Sequence, residues 1–409
     1  MPLPQQTDLF RHVVDAYQEH GSGELSNQAL YAAVASSASL TPAQAERRRP
    51  VGRSGQQRNL FHRAVRWHQQ TLRAMGVLSR VPGKRGYWQL ANRNRHGLHE
   101  AGSSTRLVAF STHLGVAIWG RCESIIPGIG EPIALCVSSP PYPVRRSRHY
   151  GGTADEQAYI EFISRALEPV IANLAPGGCI ALNLSNDIFE ANSPARSMYR
   201  ERLMLTLADR YGLSKLDTLI WENRSKPPGP IAWASKKRVQ LNTAYETIDI
   251  FTNDPLRVKA DNRRVLDAHT KRHMALMQGG GEQRHAEYGD GAYRLKPGDF
   301  GRVTAGRIPR NVISRGHRCA DTDQYRADAR RLGLPIHGAM QPLSVADFLV
   351  RYLSDVGDLV LDPFGGTVKT GMAAERNGRR WIVIEQMLDY LRGAAERFRG
   401  FNGYALHIH

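Results

Sequence analysis

Residues 359–367 read Leu-Val-Leu-Asp-Pro-Phe-Gly-Gly-Thr, and this stretch decides the fold. Its first three residues predict a short buried strand, and the glycine pair predicts a turn in which the backbone can approach a ligand closely. A helical pattern through Met372–Ala374 follows, and then a second buried strand that ends at Glu385. This order of strand, glycine turn, helix and acid-terminated strand predicts a nucleotide-binding βαβ unit, whose acid contacts ribose hydroxyls.

A second motif, Ser139-Pro140-Pro141-Tyr142, directly follows a strand predicted at Ile133–Val137. Each proline fixes φ and lacks an N–H, so the two together force a stiff turn. At the carboxyl edge of a parallel sheet, where α/β enzymes bind ligands, such a turn presents carbonyls, a hydroxyl and an aromatic ring together. Because those oxygens accept hydrogen bonds, the motif predicts a site for an exocyclic amine, with Tyr142 stacked on its base. The alternative is a rigid proline turn with a packed tyrosine.

The chain between and around these motifs alternates strand-like and helical runs. This alternation favours a parallel α/β sheet covered by helices on both faces. The predicted strands lie at 179–184, 216–221 and 247–251, and the predicted helices at 159–174 and 198–211.

The first hundred residues predict a separate domain. Apolar spacing indicates helices at 7–19, 26–37 and 57–75, the second capped by Ser26, and a basic β-hairpin follows at 77–90. Three helices and a hairpin are typical of a winged helix-turn-helix, in which a helix enters the major groove of DNA. A small, polar linker at 97–105 separates this domain from the rest.

The charge favours a polyanionic partner. The 409 residues carry a net charge of +17, and 46 of the 55 basic residues are arginine, although a GC-rich genome would also favour arginine. Residues 41–95 hold thirteen basic residues against one acid, which predicts contact with nucleic acid; the alternative is a small helical domain with a solvated basic face. The candidate DNA-binding residues here are Arg58, Arg66, Arg73, Lys84 and Arg85.

Together, these motifs resemble the β class of DNA amino-methyltransferases, of the N4-cytosine type. In that class a catalytic SPPY motif precedes the FxG motif that binds S-adenosylmethionine, a circularly permuted order. The resemblance covers roughly residues 106–253 and 336–400. Further matches to the family are Tyr150-Gly151, Leu174–Gly178, Trp221, Pro227–Gly229, Arg238, Asn242, Glu246, Phe251, His337 and Pro342.

The resemblance implies a Rossmann-like α/β sheet, base flipping and direct methyl transfer without a covalent enzyme intermediate. The residues it implies for catalysis are Ser139, Pro140, Pro141 and Tyr142. The residues it implies for binding S-adenosylmethionine are Asp362, Pro363, Phe364, Gly365, Gly366, Thr367, Glu385 and Pro342. Two residues depart from the family pattern: Val368 replaces a glycine, so the turn is expected to sit differently, and Lys369 replaces a threonine and is expected to contact the cofactor carboxylate or DNA.

Residues 254–335 interrupt the family's core, where the β class carries target recognition. They hold seventeen basic and ten acidic residues, and the alternative is a merely solvated basic insertion. The candidate DNA-binding residues in this range are Arg263, Arg264, Lys271, Arg272, Arg307 and Arg310.

We therefore expect four parts: a winged helix at 1–100, a catalytic half at 106–253, a target-recognition region at 254–335 and a cofactor-binding half at 336–409. The expected activity is sequence-specific N4-cytosine methylation of duplex DNA. N6-adenine methylation on the same fold and a catalytically inactive DNA-binding regulator are the alternatives. A homodimer and a cognate restriction endonuclease are possible partners.

The same sequence argues against other classes of protein. It has no long apolar run and no signal-peptide pattern, so we expect a cytoplasmic protein without a membrane partner. Its four cysteines lack paired spacing and its histidines are scattered, so we expect neither a disulfide scaffold nor a metal site.

Overall fold

A computed structural model describes residues 6–19, 24–51, 56–74, 77–90, 98–143 and 155–408. The family match at Tyr150-Gly151 lies outside these residues. In the part of the chain that is described, no helix combines the length and the apolar character that a membrane crossing requires.

The N-terminal domain has the element order of a winged helix. Its bounds are α1 Gln6–Glu19, β1 Glu24–Ser26, α2 Asn27–Ser37, α3 Pro42–Ala45, β2 Arg48–Val51, β3 Gln56–Asn59, α4 Leu60–Ala74, β4 Leu78–Arg80 and β5 Tyr87–Leu90. The helices pack over a three-stranded sheet of order β1-β5-β4, with Val13, Val65 and Trp88 in the core. The Ser26 hydroxyl accepts a hydrogen bond from the Ala29 N–H at 3.0 Å, which confirms the predicted cap of α2.

The helix predicted at 57–75 begins later than expected. Residues 56–59 instead form β3, which pairs with β2 in a hairpin that the sequence analysis missed. The side chain of Asn59 accepts the His62 N–H at 2.8 Å, and its amide donates to the Ala45 carbonyl at 2.8 Å. Asn59 therefore ends the strand and starts α4 at Leu60, because its side chain takes one of the donors left free at a helix start.

The remaining chain forms one ten-stranded sheet with helices on both faces. Its elements are β6 Arg106–Ser111, β7 Gly115–Gly120, α5 Cys122–Ile125, β8 Ile133–Ser138, α6 Glu156–Ala172, β9 Leu174–Leu184, α7 Tyr199–Tyr211, β10 Ser214–Glu222, β11 Tyr245–Thr252, α8 Lys271–Gln278, β12 Ala286–Tyr288, β13 Tyr293–Leu295, β14 Val312–Ser314, α9 Ala320–Arg331, α10 Leu343–Leu353, β15 Leu359–Asp362, α11 Lys369–Arg376, β16 Arg380–Glu385, α12 Leu388–Ala395 and β17 Ala405–Leu406. The strand order is β14-β10-β11-β9-β8-β15-β16-β7-β6-β17, while β12 and β13 form a separate hairpin.

The sheet is mixed rather than wholly parallel. The five central strands β9, β8, β15, β16 and β7 are parallel, whereas β11 runs antiparallel to both β9 and β10, and β6 runs antiparallel to β7. A parallel pair needs a crossover, usually a helix, and no α-helix separates β10 from β11. The expectation of helices on both faces is confirmed, since α6 and α7 cover one face and α10, α11 and α12 cover the other.

The topology brings the two motifs together although more than 200 residues separate them. Strands β8 and β15 are neighbours, with Leu135 opposite Val360 and Cys136 opposite Leu361. Both strands are fully buried and run in the same direction, so the turns that follow them leave the same edge of the sheet. That edge is where ligands bind in such sheets.

The range 254–335 divides into two parts. Residues 267–307 form an excursion closed at its base, where Asp267 and Arg307 exchange two backbone hydrogen bonds of 3.0 Å. Residues 312–335 belong to the core instead, because β14 pairs with β10 and α9 packs against α12. The predicted region 254–335 therefore contains both the excursion, which ends near residue 307, and elements that pack on the core.

Candidate active site

A cavity of about 420 Å³ opens at the carboxyl edge of β8, β15 and β16. Ser139, Pro140, Pro141 and Tyr142 line one part of its wall. Pro363, Phe364, Gly366 and Glu385 line another part, so the structure brings both sequence motifs to one site.

The hydroxyl groups of the proline turn connect to the sheet. The Ser139 Oγ lies 3.3 Å from the Tyr142 Oη, and the Tyr142 hydroxyl donates to the Glu246 Oε2 at 3.1 Å. Burial and the neighbouring Glu246 raise the pKa of Tyr142 well above its usual value, so the phenol keeps its proton. Glu246 lies on β11; the sequence marked it as a family match but carried no signal of its contact with Tyr142.

The Asp362 carboxylate stabilises the turn at residues 362–367, which we call the cofactor turn because the sequence predicts that it binds the cofactor. Its carboxylate accepts hydrogen bonds from the Ser138 hydroxyl at 2.7 Å, the Thr370 hydroxyl at 2.8 Å and the Phe364 N–H at 3.1 Å. Burial raises its pKa to about 6. The carboxylate is not part of the cavity wall, so Asp362 shapes the turn.

Glu385 does reach the cavity. Its two carboxylate oxygens accept the N–H groups of Gly366 and Met387, each at 2.7 Å, and burial raises its pKa to about 7. Gly366 has a left-handed φ of 49°, and a Cβ on Gly365 would lie 2.1 Å from a methyl of Val383. The two glycines therefore allow the turn to press against β16 and meet Glu385.

Val368 adopts the conformation expected of the glycine it replaces. Its φ is 59° and ψ 37°, it is fully buried, and its N–H donates to the Gly365 carbonyl at 2.7 Å. Val368 thus adopts a left-handed conformation that a β-branched residue disfavours, and its surroundings hold it there. Such backbone strain costs on the order of 1–3 kcal/mol.

Lys369 faces the interior rather than a ligand. Its Nζ lies 2.5 Å from the Asp321 Oδ2 and 2.8 Å from the Thr322 hydroxyl, both on α9. Arg397 lies 2.5 Å from the same Asp321 oxygen and also donates to the Thr367 carbonyl. The expectation that Lys369 contacts the cofactor or DNA is therefore wrong, since it does not line the cavity.

Asp321, Lys369 and Arg397 form a buried charged cluster, which we call the α9 brace. Desolvation lowers the pKa of Lys369 and of Arg397. Burial alone would raise the pKa of Asp321, but the adjacent Arg397 and Lys369 bring it below its usual value. The brace thus ties helix α9 to the start of α11, directly after the cofactor turn.

Three other predicted cofactor residues do not line the cavity. Gly365 and Thr367 belong to the turn, and Pro342 immediately precedes α10. His337, a family match, does line the cavity and packs edge-on against Tyr390 at 4.6 Å. Among the described residues, no cluster of three or more metal-ligating side chains occurs.

The predicted DNA-binding residues of the N-terminal domain differ in their surroundings. Arg58, Arg73 and Arg85 are exposed. The Arg66 guanidinium lies 6.0 Å from the centre of the Trp88 ring, and Lys84 pairs with Glu24 at 2.7 Å.

The candidates between 254 and 335 fall into two groups. Lys271, Arg272 and Arg310 are exposed on the excursion or next to it. The other three are paired with acids: Arg263 with Asp261 at 2.8 Å, Arg264 with Asp355 at 2.5 Å and Arg307 with Asp267 at 3.1 Å. The Arg264 guanidinium also donates to the Ser354 carbonyl at 2.8 Å and so holds the chain on the end of α10, whereas the Arg307–Asp267 pair at the base of the excursion is half-exposed.

Comparison with known proteins matches the two parts of the chain separately. A DNA methylase family model matches residues 133–396, and a model of the Mrr N-terminal domain matches residues 7–100. The type II methyltransferase M.PvuII of Proteus hauseri is 28% identical over 268 residues, covering 66% of this chain and 78% of that protein. The orphan methyltransferase M.BamHII of Bacillus amyloliquefaciens is 26% identical, covering 66% and 89%. A solved PvuII DNA methyltransferase, described as cytosine-N4-specific, superimposes with a TM-score of 0.57 at 25% identity, covering 73% of this chain and 90% of that one.

Proposed function

Because this chain belongs to the DNA methylase family, we propose that it transfers a methyl group from S-adenosylmethionine to the N4 amine of a cytosine in duplex DNA. The observation that carries the proposal is the shared cavity, which the Ser139–Tyr142 turn and the Glu385 carboxylate both line. The cavity therefore offers hydrogen-bond acceptors for an amine and a carboxylate for a ribose. This combination fits a base that receives the methyl group and a nucleoside that donates it, bound side by side.

The residues around Glu385 fit S-adenosylmethionine. The Glu385 oxygens accept backbone N–H groups of Gly366 and Met387, and a carboxylate has further lone pairs for ribose hydroxyls. Phe364 and Phe162, whose rings pack edge-on at 5.8 Å, supply an apolar wall. When bound, the sulfonium supplies an electrophilic methyl group; the protein positions it and excludes water.

The proline turn fits the amine of a base. The Ser139 hydroxyl and the Pro140 carbonyl accept hydrogen bonds from the amine, which favours a pyramidal nitrogen with a more available lone pair. A base stacked within a duplex cannot reach this cavity, so it must be flipped out, and the Tyr142 ring then stacks on it.

The preserved cofactor turn favours an enzyme over an inactive regulator. Val368 maintains the left-handed conformation at a position where the family has glycine. N6-adenine methylation is the second candidate, and the serine at position 139 favours cytosine, since adenine enzymes of this family mostly carry Asp or Asn there. Mass spectrometry of nucleosides from DNA methylated by the protein decides between them: N4-methylcytosine supports the proposal, and N6-methyladenine contradicts it.

Two basic surfaces are proposed to contact the duplex. The N-terminal domain would bind DNA phosphates through Arg58, Arg73 and Arg85. The excursion would contact the target bases, with Lys271 and Arg272 on the excursion and Arg310 directly after it. A homodimer and a cognate endonuclease remain predictions. Analytical ultracentrifugation tests the first, and cleavage of unmethylated host DNA by a nuclease encoded beside the gene tests the second.

A further inference from the structure

Ser139, Tyr142 and Glu246 form a row of polar groups that leads from the cavity to strand β11. The Ser139 Oγ and Tyr142 Oη are 3.3 Å apart, and the Tyr142 Oη and Glu246 Oε2 are 3.1 Å apart. Hydroxyl hydrogen bonds are usually shorter, but catalytic contacts are often long before the substrate binds.

The number of hydroxyl protons determines the direction of the hydrogen bonds along this row. A tyrosine has one O–H, and here it points to the carboxylate of Glu246, so the Tyr142 oxygen is left as an acceptor for the Ser139 hydroxyl. Ser139 then presents only lone pairs to the cavity. Those lone pairs are what an amine N–H requires.

We propose that the row is a proton relay, in which Glu246 takes up the proton that the target amine must lose. This inference rests on the proposed function. The base nitrogen forms its bond to the methyl carbon while the S–C bond breaks and its electron pair stays on sulfur. The cationic nitrogen gives its proton to Ser139, Ser139 passes its own to Tyr142, and Tyr142 passes its own to Glu246. The products are a neutral methylamino group, two intact hydroxyls and a neutral carboxylic acid, which later releases its proton to water.

The surroundings of Glu246 suit a proton acceptor. Burial raises the pKa of its carboxyl above the usual value, which makes it a stronger base than a surface glutamate. Lys226 counteracts this shift, and Asp187 adds to it. The Lys226 Nζ lies 3.8 Å from Asp187, and the lysine has the larger effect of the two on the pKa of Glu246.

The test compares single-turnover methylation rates at saturating donor and DNA for E246Q, Y142F and the double variant. Glutamine keeps an oxygen for the Tyr142 hydroxyl but cannot take a proton, and phenylalanine keeps the ring for stacking. We expect each single variant to lose about a hundredfold in rate, the lower end of what a positioned proton acceptor supplies. Because the groups act in series, the double variant should lose no more than either single variant. E161Q and Y211F, outside the site, are the matched controls and should keep the wild-type rate.

A second measurement separates the relay from a merely structural role. The ratio of the wild-type rate to the E246Q rate should rise with pH as Glu246 ionises, while DNA affinity and melting temperature stay unchanged. Multiplicative losses in the double variant, a pH-independent ratio, or an E246Q rate within threefold of wild type would each overturn the relay. Identifying the methylated base in the same reactions tests the proposed function separately. Methylation of adenine would refute the N4-cytosine proposal, and the rates of the three variants would still test the relay.

Discussion

Replacing Asp321 by Asn should destabilise the protein markedly, because one carboxylate oxygen holds two buried cations. The Lys369 Nζ and the Arg397 guanidinium each lie 2.5 Å from it, and the three side chains are only 3–7% exposed. Removing one partner of a buried pair costs about 3–5 kcal/mol, since the remaining charge stays desolvated. Asparagine keeps one acceptor oxygen, so we expect the lower end, about 3 kcal/mol of unfolding free energy.

Urea denaturation measures this loss directly. D209N, on the exposed side of α7, is the matched control and should change stability by less than about 0.5 kcal/mol. The double variant D321N/K369M should recover part of the loss, because an apolar side chain replaces one of the unpaired cations. A loss below about 1 kcal/mol for D321N, or no recovery in the double variant, would refute the electrostatic account of the brace.

Four further outcomes follow from the site and the basic surfaces. S139A should reduce single-turnover methyl transfer well below wild type while leaving S-adenosylmethionine affinity, measured by calorimetry, nearly unchanged. E385A should weaken that affinity, and in the wild type the affinity should fall as pH drops through about 7, because protonation removes an acceptor for the ribose hydroxyls; equal affinity in E385A would exclude Glu385 from the site. Deleting residues 1–90, which leaves Glu100 in the cavity wall, should weaken DNA binding and lower the slope of log affinity against log salt by roughly 0.9 for each lost phosphate contact, with the methylated sequence unchanged. The double charge reversal K271E/R272E should instead alter or abolish the target preference, and an unchanged methylome would contradict the role of the excursion.

The two turns of the active site could be predicted from sequence because each is a local pattern. Ser139–Tyr142 and Asp362–Thr367 are short runs whose prolines and glycines restrict the backbone directly. Their family order also implied that they share one site, and the neighbouring strands β8 and β15 show how this happens.

Contacts between distant residues could not be predicted in the same way. Tyr142 and Glu246 are 104 residues apart, and Asp321 and Lys369 are 48 apart, so no periodicity links either pair. The sequence showed that Lys369 departs from the family, but its charge suggested a ligand. Only the packing of α9 shows that this charge pairs with Asp321 inside the protein.

The antiparallel strands β10 and β11 illustrate a further limit of prediction from sequence. The strands at 216–221 and 247–251 were predicted correctly as strands, but their direction depends on the connection between them. No α-helix was predicted between these strands, but their connection is long enough for a crossover, so the sequence pattern left their direction open.

The closed base of the excursion has a consequence for protein engineering if this segment carries the target recognition proposed for it. Asp267 and Arg307 meet there through a pair of backbone hydrogen bonds and a 3.1 Å ion pair, so a transplanted loop cut at these two positions would enter and leave the scaffold at adjacent points. A graft of the whole range 254–335 would instead carry away β14 and the carboxylate on which Lys369 and Arg397 depend. A chimera built on the shorter segment should thus inherit a new recognition sequence and keep its own methyl-donor site.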